Sequence, residues 1–325
     1  MLLLDFINVG NGDSTLVREI VGGAQTFAML VDCGHDCLTR DDHPPLEDGR
    51  SQRIFAGDFL RENGVEHLDM LLLTHFHRDH VGGLGRVLEA VTVGELVSTY
   101  TPPADAAPLE PDGDNGLPKA ARNVLRCMEF YAAALREHPG RVARMTQLPG
   151  DRQEVRRLTD GLTMDIDFGE PALYPRQKAV CDAAFHGVRD RYDLMHWGKV
   201  MNVSSLRQRL HYGGRDIVLG GDAFAATWDN DTLAPCDILK VPHHASLTSV
   251  NRKFLGLLRP EMAVVSVASE RPDGRPHPYI VSLLQACVPE VCFTDAVAIA
   301  DLVEPAYHKS VRIEIREDGS IRRWI

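Results

Sequence analysis

A short segment rich in metal-binding side chains, placed directly after a predicted strand, constrains this chain more than any other feature. A mostly apolar run ends at Leu73, and from His75 the chain reads HFHRDH before a Gly-Gly turn. His75 and His77 lie at the mouth of the strand, where their imidazoles can converge on one cation. Asp79 and His80 lie on the turn that follows and can reach a second cation. This mixture of imidazole and carboxylate suits zinc, manganese or iron, and a shared pair of such ions is typical of hydrolytic sites.

A solvent-exposed, histidine-rich loop is the alternative interpretation of this segment. It fits poorly, because three histidines and one aspartate stand between a predicted buried strand and a glycine turn. Polar side chains in such a place are costly unless they are paired or coordinated. The segment therefore favours a metal site.

Composition places the chain among globular proteins and limits its partners. It has 325 residues, enough for one large domain or two ordinary ones, and it is 44% hydrophobic and 25% charged, as soluble globular proteins are. A formal net charge of -11 argues against general attraction of long duplex nucleic acid, because such binding depends on neutralising phosphates. That argument has little force for an enzyme whose metal ions meet the phosphate.

The cysteines and the apolar runs indicate the compartment in which the protein works. Seven cysteines, an odd number spread along the chain, do not resemble a disulfide framework, so a reducing cytoplasm is expected. No apolar run is long enough to span a bilayer, and Asp5 comes too soon for a signal peptide. We expect a soluble, cytoplasmic protein with no membrane segment, whose oligomeric state the sequence leaves undetermined.

The predicted elements alternate in an α/β order. From the amino terminus we predict strands, a helix over about residues 52–63, the strand that precedes the histidines, a helix over 84–90 and another strand. A longer helix is predicted over residues 119–137, because apolar side chains recur on one face at helical spacing. Residues 101–117 are rich in proline and glycine and are predicted to be a loop.

A second irregular stretch is predicted over residues 175–200, and loops of this length are often functional. It carries His186, Arg189 and His196, which are candidate substrate-binding residues. Six arginines between positions 136 and 157 make a further region basic. Such a run is usually a solvated face, but an arginine-lined lip beside a metal site would suit a phosphorylated substrate.

Metal-type side chains recur at predicted strand ends in other parts of the chain. One strand ends in Gly-Gly-Asp222 and the next in Pro-His243-His244. Two adjacent histidines at a strand end are a second metal signal, independent of the first. Asp32 follows another predicted strand, where a carboxylate commonly orients a ligand histidine through its free ring N–H. A turn-forming aspartate before glycine is the alternative interpretation of Asp32.

Together these motifs resemble those of metallo-β-lactamase-fold hydrolases. Asp32 matches the first motif, HFHRDH the second, Asp222 the fourth and His244 the fifth. More narrowly, the chain is similar to the hydrolase domain of the ComEC competence proteins. The segments that carry this similarity stand in that subfamily's order: NVGNGDS from Asn8, NVSSL from Asn202, GGDA from Gly220, LKVPHHAS from Leu239 and PHP from Pro276.

The resemblance implies an α/β fold, namely an αββα sandwich with inserted helical and loop segments. Because it covers nearly the whole chain, we expect one domain over residues 1–325, with insertions at about 101–160 and 175–200. It also implies two divalent metal ions, most plausibly zinc or manganese, at one edge of the sandwich. The DNA uptake process of the ComEC proteins is not carried over, because no membrane segment is predicted here.

Carried over to this sequence, the resemblance assigns ligands to both ions. One ion is held by His75 and His77, the other by Asp79, His80 and His244, and the bridging ligand is Asp222. The choice of His244 over His243 depends on aligning Pro-His-His with the Pro-Gly-His form of the fifth motif. The third-motif histidine of the fold has no clear counterpart, and Asn202 lies in that region as a supporting residue. One ion is therefore expected to be open to water or substrate, or completed by His186 or His196.

The resemblance favours metal-dependent phosphodiester hydrolysis, as in a phosphodiesterase or nuclease acting on a nucleic acid or nucleotide. A metal-activated water would attack phosphorus, with Asp79 essential as a ligand. His243 or His277 would donate a proton to the leaving oxygen or bind a phosphate oxygen. His277 stands between two prolines, and simple exposure explains it equally well.

Other functions remain open at the level of sequence. A lactone, thioester or other carbonyl-ester hydrolase could use the same metals. An iron oxidoreductase is less favoured, because His77 occupies a place where the diiron branch of the family carries a carboxylate. A metal-stabilised, non-enzymatic binding module is the remaining alternative, since fold alone does not establish turnover.

Overall fold

The computed structural model of the protein describes residues 1–39, 52–111, 113, 116–150, 153–231, 233–299, 302–304 and 308–324. Its strands are β1 (Leu2–Ile7), β2 (Thr15–Val21), β3 (Ala24–Val31), β4 (His67–Leu72), β5 (Thr92–Ser98), β6 (Val142–Gln147), β7 (Glu154–Arg157), β8 (Thr163–Asp167), β9 (Arg207–Tyr212), β10 (Arg215–Leu219), β11 (Ile238–Lys240), β12 (Met262–Val265), β13 (Glu290–Phe293), β14 (Val297–Ile299), β15 (Leu302–Glu304), β16 (Ser310–Ile315) and β17 (Ile321–Trp324). Its helices are α1 (Ala56–Glu62), α2 (Arg78–Val81), α3 (Leu84–Ala90), α4 (Lys119–Glu137), α5 (Leu173–Phe185), α6 (Arg191–Val200), α7 (Arg252–Leu258) and α8 (Pro278–Cys287).

Hydrogen bonds join most of these strands into two large sheets. The first has the order β17-β16-β1-β2-β3-β4-β5-β6, and the second has the order β13-β12-β11-β10-β9-β8-β7. Strands β3 to β6 run parallel in the first sheet, and strands β10 to β13 run parallel in the second. Strands β14 and β15 form a separate antiparallel pair.

The two sheets pack face to face, with helices on both outer faces. Leu4 and Val17 from the first sheet share one buried cluster with Leu210 and Ile217 from the second. Side chains of α1, α3, α4 and α6 pack on the outer face of the first sheet. Those of α7 and α8 cover the outer face of the second. Because each strand alternates its side chains between faces, this burial on both sides produces the predicted αββα sandwich.

The parallel strands bring the predicted metal ligands to one edge of the sandwich. Asp32 follows β3, and the HFHRDH segment follows β4 in the same sheet. In the second sheet, Asp222 follows β10, and the two adjacent histidines follow β11. Side chains placed after the carboxyl ends of parallel strands meet at the same sheet edge, which is where such sheets commonly bind ligands.

The prediction of an irregular loop over residues 175–200 is wrong, because most of this stretch is helical in α5 and α6. Pro175 lies in the first turn of α5, where a missing backbone N–H removes no helical hydrogen bond. Val180 and Ala184 are buried four positions apart on one face of the helix. The periodicity of this stretch is weak by itself, and its helices pack their apolar side chains into the same buried cluster as those of α4.

Residues 101–160 contribute regular structure to both sheets. Helix α4 has the predicted bounds, whereas β6 and β7 were not predicted. Strand β6 extends the first sheet beside β5, and β7 extends the second beside β8. Within the predicted loop 101–117, the described residues form no helix or strand, and Asp112, Asp114 and Asn115 lie outside the described residues.

No helix in the described part of the chain combines the length and the apolar character that crossing a membrane requires.

Candidate metal centre

The first ligand cluster consists of His75, His77 and Asp222. The Nε2 atom of His75 lies 3.0 Å from Nδ1 of His77 and 3.8 Å from Oδ2 of Asp222. One ligand atom from each of the three residues lies within 4.8 Å of the others. Ligand atoms around a tetrahedral ion with bonds of about 2.0–2.2 Å are separated by about 3.4 Å, so this cluster is close to the size that a bound ion requires.

Beside the first cluster, one ligand atom from each of Asp13, His80, Asp222 and His244 lies within 4.8 Å of the others, and the predicted ligand Asp79 adjoins this group at His244. We call the predicted ligands Asp79, His80 and His244 the second cluster. His80 Nε2 lies 3.4 Å from Asp222 Oδ1. His244 Nε2 lies 3.2 Å from Asp79 Oδ2 and 4.0 Å from Asp222 Oδ1. The two oxygens of Asp222 thus face different clusters, Oδ2 toward the first and Oδ1 toward the second. A carboxylate placed in this way can bridge two ions.

Four residues of the two clusters are buried, whereas His77 and Asp79 are partly exposed, and two of the buried atoms lack a hydrogen-bond partner among the described residues. His75 is 1% exposed, His80 0%, Asp222 1% and His244 2%. Among the described residues, neither His80 Nε2 nor Asp222 Oδ1 has a hydrogen-bond partner. Buried polar atoms in native proteins are nearly always satisfied. Divalent ions would satisfy both atoms, and a donor set of imidazole nitrogen and carboxylate oxygen fits a divalent transition metal.

The electrostatics of the centre also favour a bound cation. Burial lowers the pKa of His75 well below its ordinary value, and nearby His80 and His77 lower it further. Burial would raise the pKa of Asp222, but His80 and His244 hold it well below its ordinary value. Burial would lower the pKa of His80, but Asp222 and Asp32 raise it well above its ordinary value. His80 thus lies between two carboxylates, which favour positive charge at its position.

Asp32 lies behind His80 and orients its ring. Oδ2 of Asp32 lies 2.7 Å from His80 Nδ1 and accepts a hydrogen bond of 2.7 Å from the Thr74 hydroxyl. Oδ1 accepts the backbone N–H of Thr74 at 2.8 Å. Because Nδ1 of His80 is engaged by this carboxylate, Nε2 is the atom directed at the second cluster.

Asp222 reaches the centre because Gly221 allows a close backbone approach. Gly221 has a φ of 50°, and a Cβ there would lie 2.3 Å from the hydroxyl oxygen of Ser205. The same hydroxyl accepts the backbone N–H of Asp222 at 3.0 Å. A side chain at position 221 would therefore displace both the turn and the carboxylate that follows.

A left-handed turn after β11 presents both adjacent histidines to the centre. His243, His244 and Ala245 have φ values of 50°, 52° and 55°, a conformation that costs each non-glycine residue about 1–2 kcal/mol. His244 Nδ1 lies 3.2 Å from the carbonyl oxygen of Ser266, so its Nε2 is left for the second cluster. Strain of this kind persists at functional sites where the surrounding structure holds it.

His243 approaches the first cluster from the side. Its Nε2 lies 3.9 Å from Asp222 Oδ2 and 3.1 Å from Nδ2 of Asn202. Its Nδ1 lies 2.9 Å from the Ser246 hydroxyl. Burial lowers the pKa of His243 to about 4, against the effect of Asp222, so its ring is neutral at physiological pH. Asn202 lies in the region where the fold's third motif would supply a histidine. It therefore contacts the centre through the ring of His243.

Two residues behind His244 were not predicted from the sequence. Asp13 and Lys240 are both buried and form an ion pair, and Asp13 Oδ1 lies 3.7 Å from His244 Nδ1. Asp13 stands in the NVGNGDS segment and Lys240 in the LKVPHHAS segment. The signal available in the sequence was that each of these two motif segments contains a charged residue. The fold was needed to show that the two charges form a pair.

A cleft of about 930 Å³ opens over both clusters. His77, Asp79, Asp222, His243 and His277 are among the residues that line it. His277 Nδ1 accepts the backbone N–H of Tyr279 at 3.2 Å, which caps the amino end of α8. If its ring is neutral, this contact leaves Nε2 to carry the proton.

The predicted substrate-binding residues lie elsewhere. Of the described residues that line the cleft, none is His186, Arg189 or His196. His186 is exposed at the end of α5, where its Nδ1 lies 2.7 Å from the carbonyl oxygen of Asp182. His196 is exposed on α6, next to Met195, which does line the cleft, because consecutive helical residues are separated by about 100° around the axis.

The basic run between residues 136 and 157 does not form a lip on the cleft. Four of its six members pair with nearby carboxylates instead: Arg136 with Glu129, Arg144 and Arg156 with Glu95, and Arg157 with Asp160. Arg152 lies outside the described residues. No described arginine of this run is among the residues that line the cleft.

The chain is similar to several known proteins. The sequence model of the Metallo-beta-lactamase superfamily matches residues 7–173, just over half of the chain. Ribonuclease Z of Mycolicibacterium paratuberculosis (strain ATCC BAA-968 / K-10) is 38% identical over 160 residues, covering 48% of this chain and 44% of that protein. ComE operon protein 3 of Bacillus subtilis (strain 168) is 26% identical over 304 residues, covering 90% of this chain and 32% of that protein. The chain therefore spans less than half the length of either relative.

A solved structure with a similar fold is the metallo-beta-lactamase fold protein YhfI from Bacillus subtilis. It aligns over 100% of both chains, with a TM-score of 0.43 and 12% sequence identity.

Proposed function

Because the chain belongs to the metallo-β-lactamase superfamily, we propose that it is a metal-dependent phosphodiester hydrolase of the phosphodiesterase or nuclease type. The observation that carries this proposal is the carboxylate of Asp222, whose two oxygens face two separate His/Asp clusters at the floor of one cleft. A pair of ions held by such a bridge suits in-line displacement at phosphorus. The name of one relative, ribonuclease Z, agrees with a nucleic-acid substrate.

The residues of the two clusters would hold two divalent ions, with zinc or manganese favoured by the imidazole and carboxylate donors. His75, His77 and Asp222 would hold the first, and Asp79, His80, His244 and Asp222 the second. When bound, such ions lower the pKa of water and stabilise the negative charge that develops on the phosphate.

The remaining residues of the site position these groups and handle protons. Asp32 and the Ser266 carbonyl oxygen orient the rings of His80 and His244. We assign proton donation to the leaving oxygen to His277, because its Nδ1 accepts a backbone hydrogen bond and leaves Nε2–H for the cleft. His243, neutral and held between Asn202 and Ser246, is assigned to binding a phosphate oxygen or supporting the first cluster.

The test of this function is hydrolysis of bis(p-nitrophenyl) phosphate and of single-stranded DNA with added manganese or zinc. The wild type is compared with Asp79→Asn, which removes a ligand charge, and with Asp160→Asn, an exposed aspartate outside the site. Metal content is measured on all three proteins. We expect Asp79→Asn to lose bound metal and at least about 100-fold of the activity, since even residues that only support a ligand contribute 10–100-fold. Asp160→Asn should behave as the wild type.

Two bound metals without cleavage of either phosphodiester would contradict the proposal. Hydrolysis of a lactone or a thioester by the same preparation would then indicate a carbonyl-ester hydrolase. Inactivity on every substrate, with both metals bound, would indicate a metal-stabilised binding module.

A further inference from the structure

The loop between β1 and β2 carries a buried aspartate, Asp13, to the metal centre. Asp13 stands in the NVGNGDS segment, to which the proposed function assigns no role. Its backbone N–H donates to the carbonyl oxygen of Asp79 at 3.1 Å, and its own carbonyl oxygen accepts the N–H of Gly34 at 2.9 Å. These two bonds tie the loop to the HFHRDH segment and to the turn after β3. The backbone that carries the predicted ligands therefore also sets the position of Asp13.

Gly12 allows this loop to approach the ligand segment closely. A Cβ at position 12 would lie 2.6 Å from the carbonyl oxygen of Asp79, which is too close for any side chain unless the backbone moves. A larger residue at position 12 would push the loop outward and carry Asp13 away from the centre. The close approach is thus built into the segment that contains Asp13.

Three buried ligand atoms at this place have no hydrogen-bond partner among the residues that the structure describes. They are Oδ1 of Asp13, Nε2 of His80 and Oδ1 of Asp222. Asp13 itself is 4% exposed, so water has little access to its carboxylate. Buried polar atoms without partners are costly and rare. All three residues belong, with His244, to the group whose ligand atoms lie within 4.8 Å of one another, so one cation placed among them would satisfy all three atoms.

Neither Lys240 nor His244 accounts for the Oδ1 atom of Asp13. The ammonium group of Lys240 pairs with Oδ2, the other oxygen of the carboxylate. His244 Nδ1 lies 3.7 Å from Oδ1, which is longer than a hydrogen bond. A nearer acceptor for the proton on that nitrogen is the carbonyl oxygen of Ser266, at 3.2 Å. Oδ1 of Asp13 is therefore left for a different partner.

Asp32 illustrates how a carboxylate that only orients a ligand histidine is bound. Both of its oxygens are engaged: Oδ2 lies 2.7 Å from His80 Nδ1, and Oδ1 accepts the backbone N–H of Thr74 at 2.8 Å. Asp32 does not belong to the group of four ligand residues. Asp13 differs from it in both respects, because it belongs to that group and keeps one oxygen without a hydrogen-bond donor. The two buried carboxylates therefore have different roles.

We propose that Oδ1 of Asp13 is a direct ligand of the second ion. It joins the ligands that the proposed function assigns to that ion. Lys240 occupies Oδ2 and thereby holds the carboxylate with Oδ1 toward the centre. In the metal-free protein, the same lysine balances the charge of a ligand carboxylate that would otherwise be buried alone. The inference rests on the metal pair of the proposed function but not on its phosphodiester substrate.

The first test uses cobalt(II) as the probe metal and the variant Asp13→Cys in the intact protein. A cysteine thiolate is itself a metal ligand, and a metal–sulfur distance of about 2.3 Å is close to that of a carboxylate oxygen. A sulfur bonded to cobalt(II) adds a charge-transfer absorption band in the near ultraviolet, and a sulfur that is only nearby does not. The matched control is Asp32→Cys, which places a thiol at an equally buried position behind His80.

We expect Asp13→Cys to bind two cobalt ions and to show the new band, and Asp32→Cys to show none. Each spectrum is the difference from that of the cobalt-loaded wild type, which removes any contribution of the native cysteines. Two bound ions in Asp13→Cys without the band, or an equal band in Asp32→Cys, would overturn the assignment of Asp13 as a ligand.

The second test measures the affinity of each ion by competition with a chromophoric chelator. The variant Asp13→Leu/Lys240→Met removes the carboxylate without leaving the lysine unpaired, and such apolar replacements of a buried ion pair are often tolerated. We expect its second ion to bind at least about 100-fold more weakly than in the wild type, because residues that only support a ligand contribute about 10–100-fold. Asp32→Asn is the control for such a supporting residue. A loss no larger than that of Asp32→Asn would show that Asp13 is not a ligand.

The outcomes separate this inference from the proposed function. If the wild type binds fewer than two ions, the metal pair fails and the role of Asp13 fails with it. If the wild type binds two ions but cleaves no phosphodiester, the proposed function fails, and the spectra of the cobalt proteins still decide whether Asp13 is a ligand. If Asp13→Cys does not take up a second ion, the affinity comparison decides.

Discussion

At the scale of single residues, the buried pair of Asp13 and Lys240 supports the metal centre from behind. The Lys240 side chain is 3% exposed and that of Asp13 5%, and the carboxylate lies beside His244. Burial would raise the pKa of Asp13, but Lys240 and His244 lower it below its ordinary value. Removing one member of such a pair leaves an uncompensated buried charge, which costs more than the intact pair contributes.

We therefore expect Lys240→Met to lower the free energy of unfolding by about 3–5 kcal/mol. The double variant Lys240→Met/Asp13→Asn should lose less than Lys240→Met alone, because it leaves no unpaired charge. Urea unfolding of the metal-free proteins measures both changes. Lys253→Met, an exposed lysine on α7, is the control and should change the free energy of unfolding by no more than about 0.5 kcal/mol. A double variant less stable than the single one would show that the two charges are not coupled.

At the scale of elements, the turn after β11 is a strained segment held by its neighbours. Its residues His243–Ala245 adopt left-handed φ values. His243 N–H donates to the carbonyl oxygen of Gly221 at 3.0 Å, and the Ala245 carbonyl oxygen accepts the N–H of His277 at 2.9 Å. These two bonds tie the turn to the glycine before Asp222 and to the start of α8. The backbone conformation of the turn therefore decides where both histidines point.

Ala245→Val should destabilise this turn, because a β-branched residue is strongly disfavoured at a positive φ and Ala245 is fully buried. We expect the free energy of unfolding to fall by about 2 kcal/mol or more, together with a loss of bound metal. Ala245→Gly, which suits the same φ, should stay within about 1 kcal/mol of the wild type. Chemical unfolding and metal analysis measure the two effects. Equal stability of the two variants would show that the turn is not strained in the way its φ values indicate.

At the scale of the whole molecule, the residues of the candidate metal centre come from both sheets of the sandwich. The HFHRDH ligands follow β4 of the first sheet, whereas Asp222 and His244 follow β10 and β11 of the second. An ion that is bound both by Asp222 and by the HFHRDH ligands would therefore link the two sheets at one edge. We propose that the two sheets unfold as one domain and that bound metal stabilises both together.

Removal of the metal should accordingly lower the thermal stability of the entire protein. At free metal about 1,000-fold above Kd, the expected contribution is about 4 kcal/mol. Circular dichroism melting with and without a chelator measures the change in Tm. The variant Asp222→Asn should show a much smaller chelator effect, because the shared ligand is lost. Identical melting curves for the wild type with and without chelator would contradict a metal link between the sheets.

Local patterns were sufficient to predict several elements and much of the candidate site. The bounds of α4 follow from helical spacing of apolar residues, and those of α3 from a short apolar helix after two glycines. The spacing within HFHRDH is itself local, so its residues lie close together in any fold that places them after a strand. Helices α5 and α6 and strands β6 and β7 were missed, because weakly periodic helices and edge strands depend on packing against the rest of the protein.

The sequence by itself determined which side chains could bind metal, because ligand chemistry and strand-end spacing are properties of short segments. Only the tertiary structure decided how these segments meet. It directs the two oxygens of Asp222 at separate clusters and pairs Asp13 with Lys240 across 227 positions. It also places Arg126 and Lys199, rather than His186 or His196, along the cleft. The physical reason is that such contacts depend on strand register and helix packing between residues far apart in the chain, which no short segment encodes.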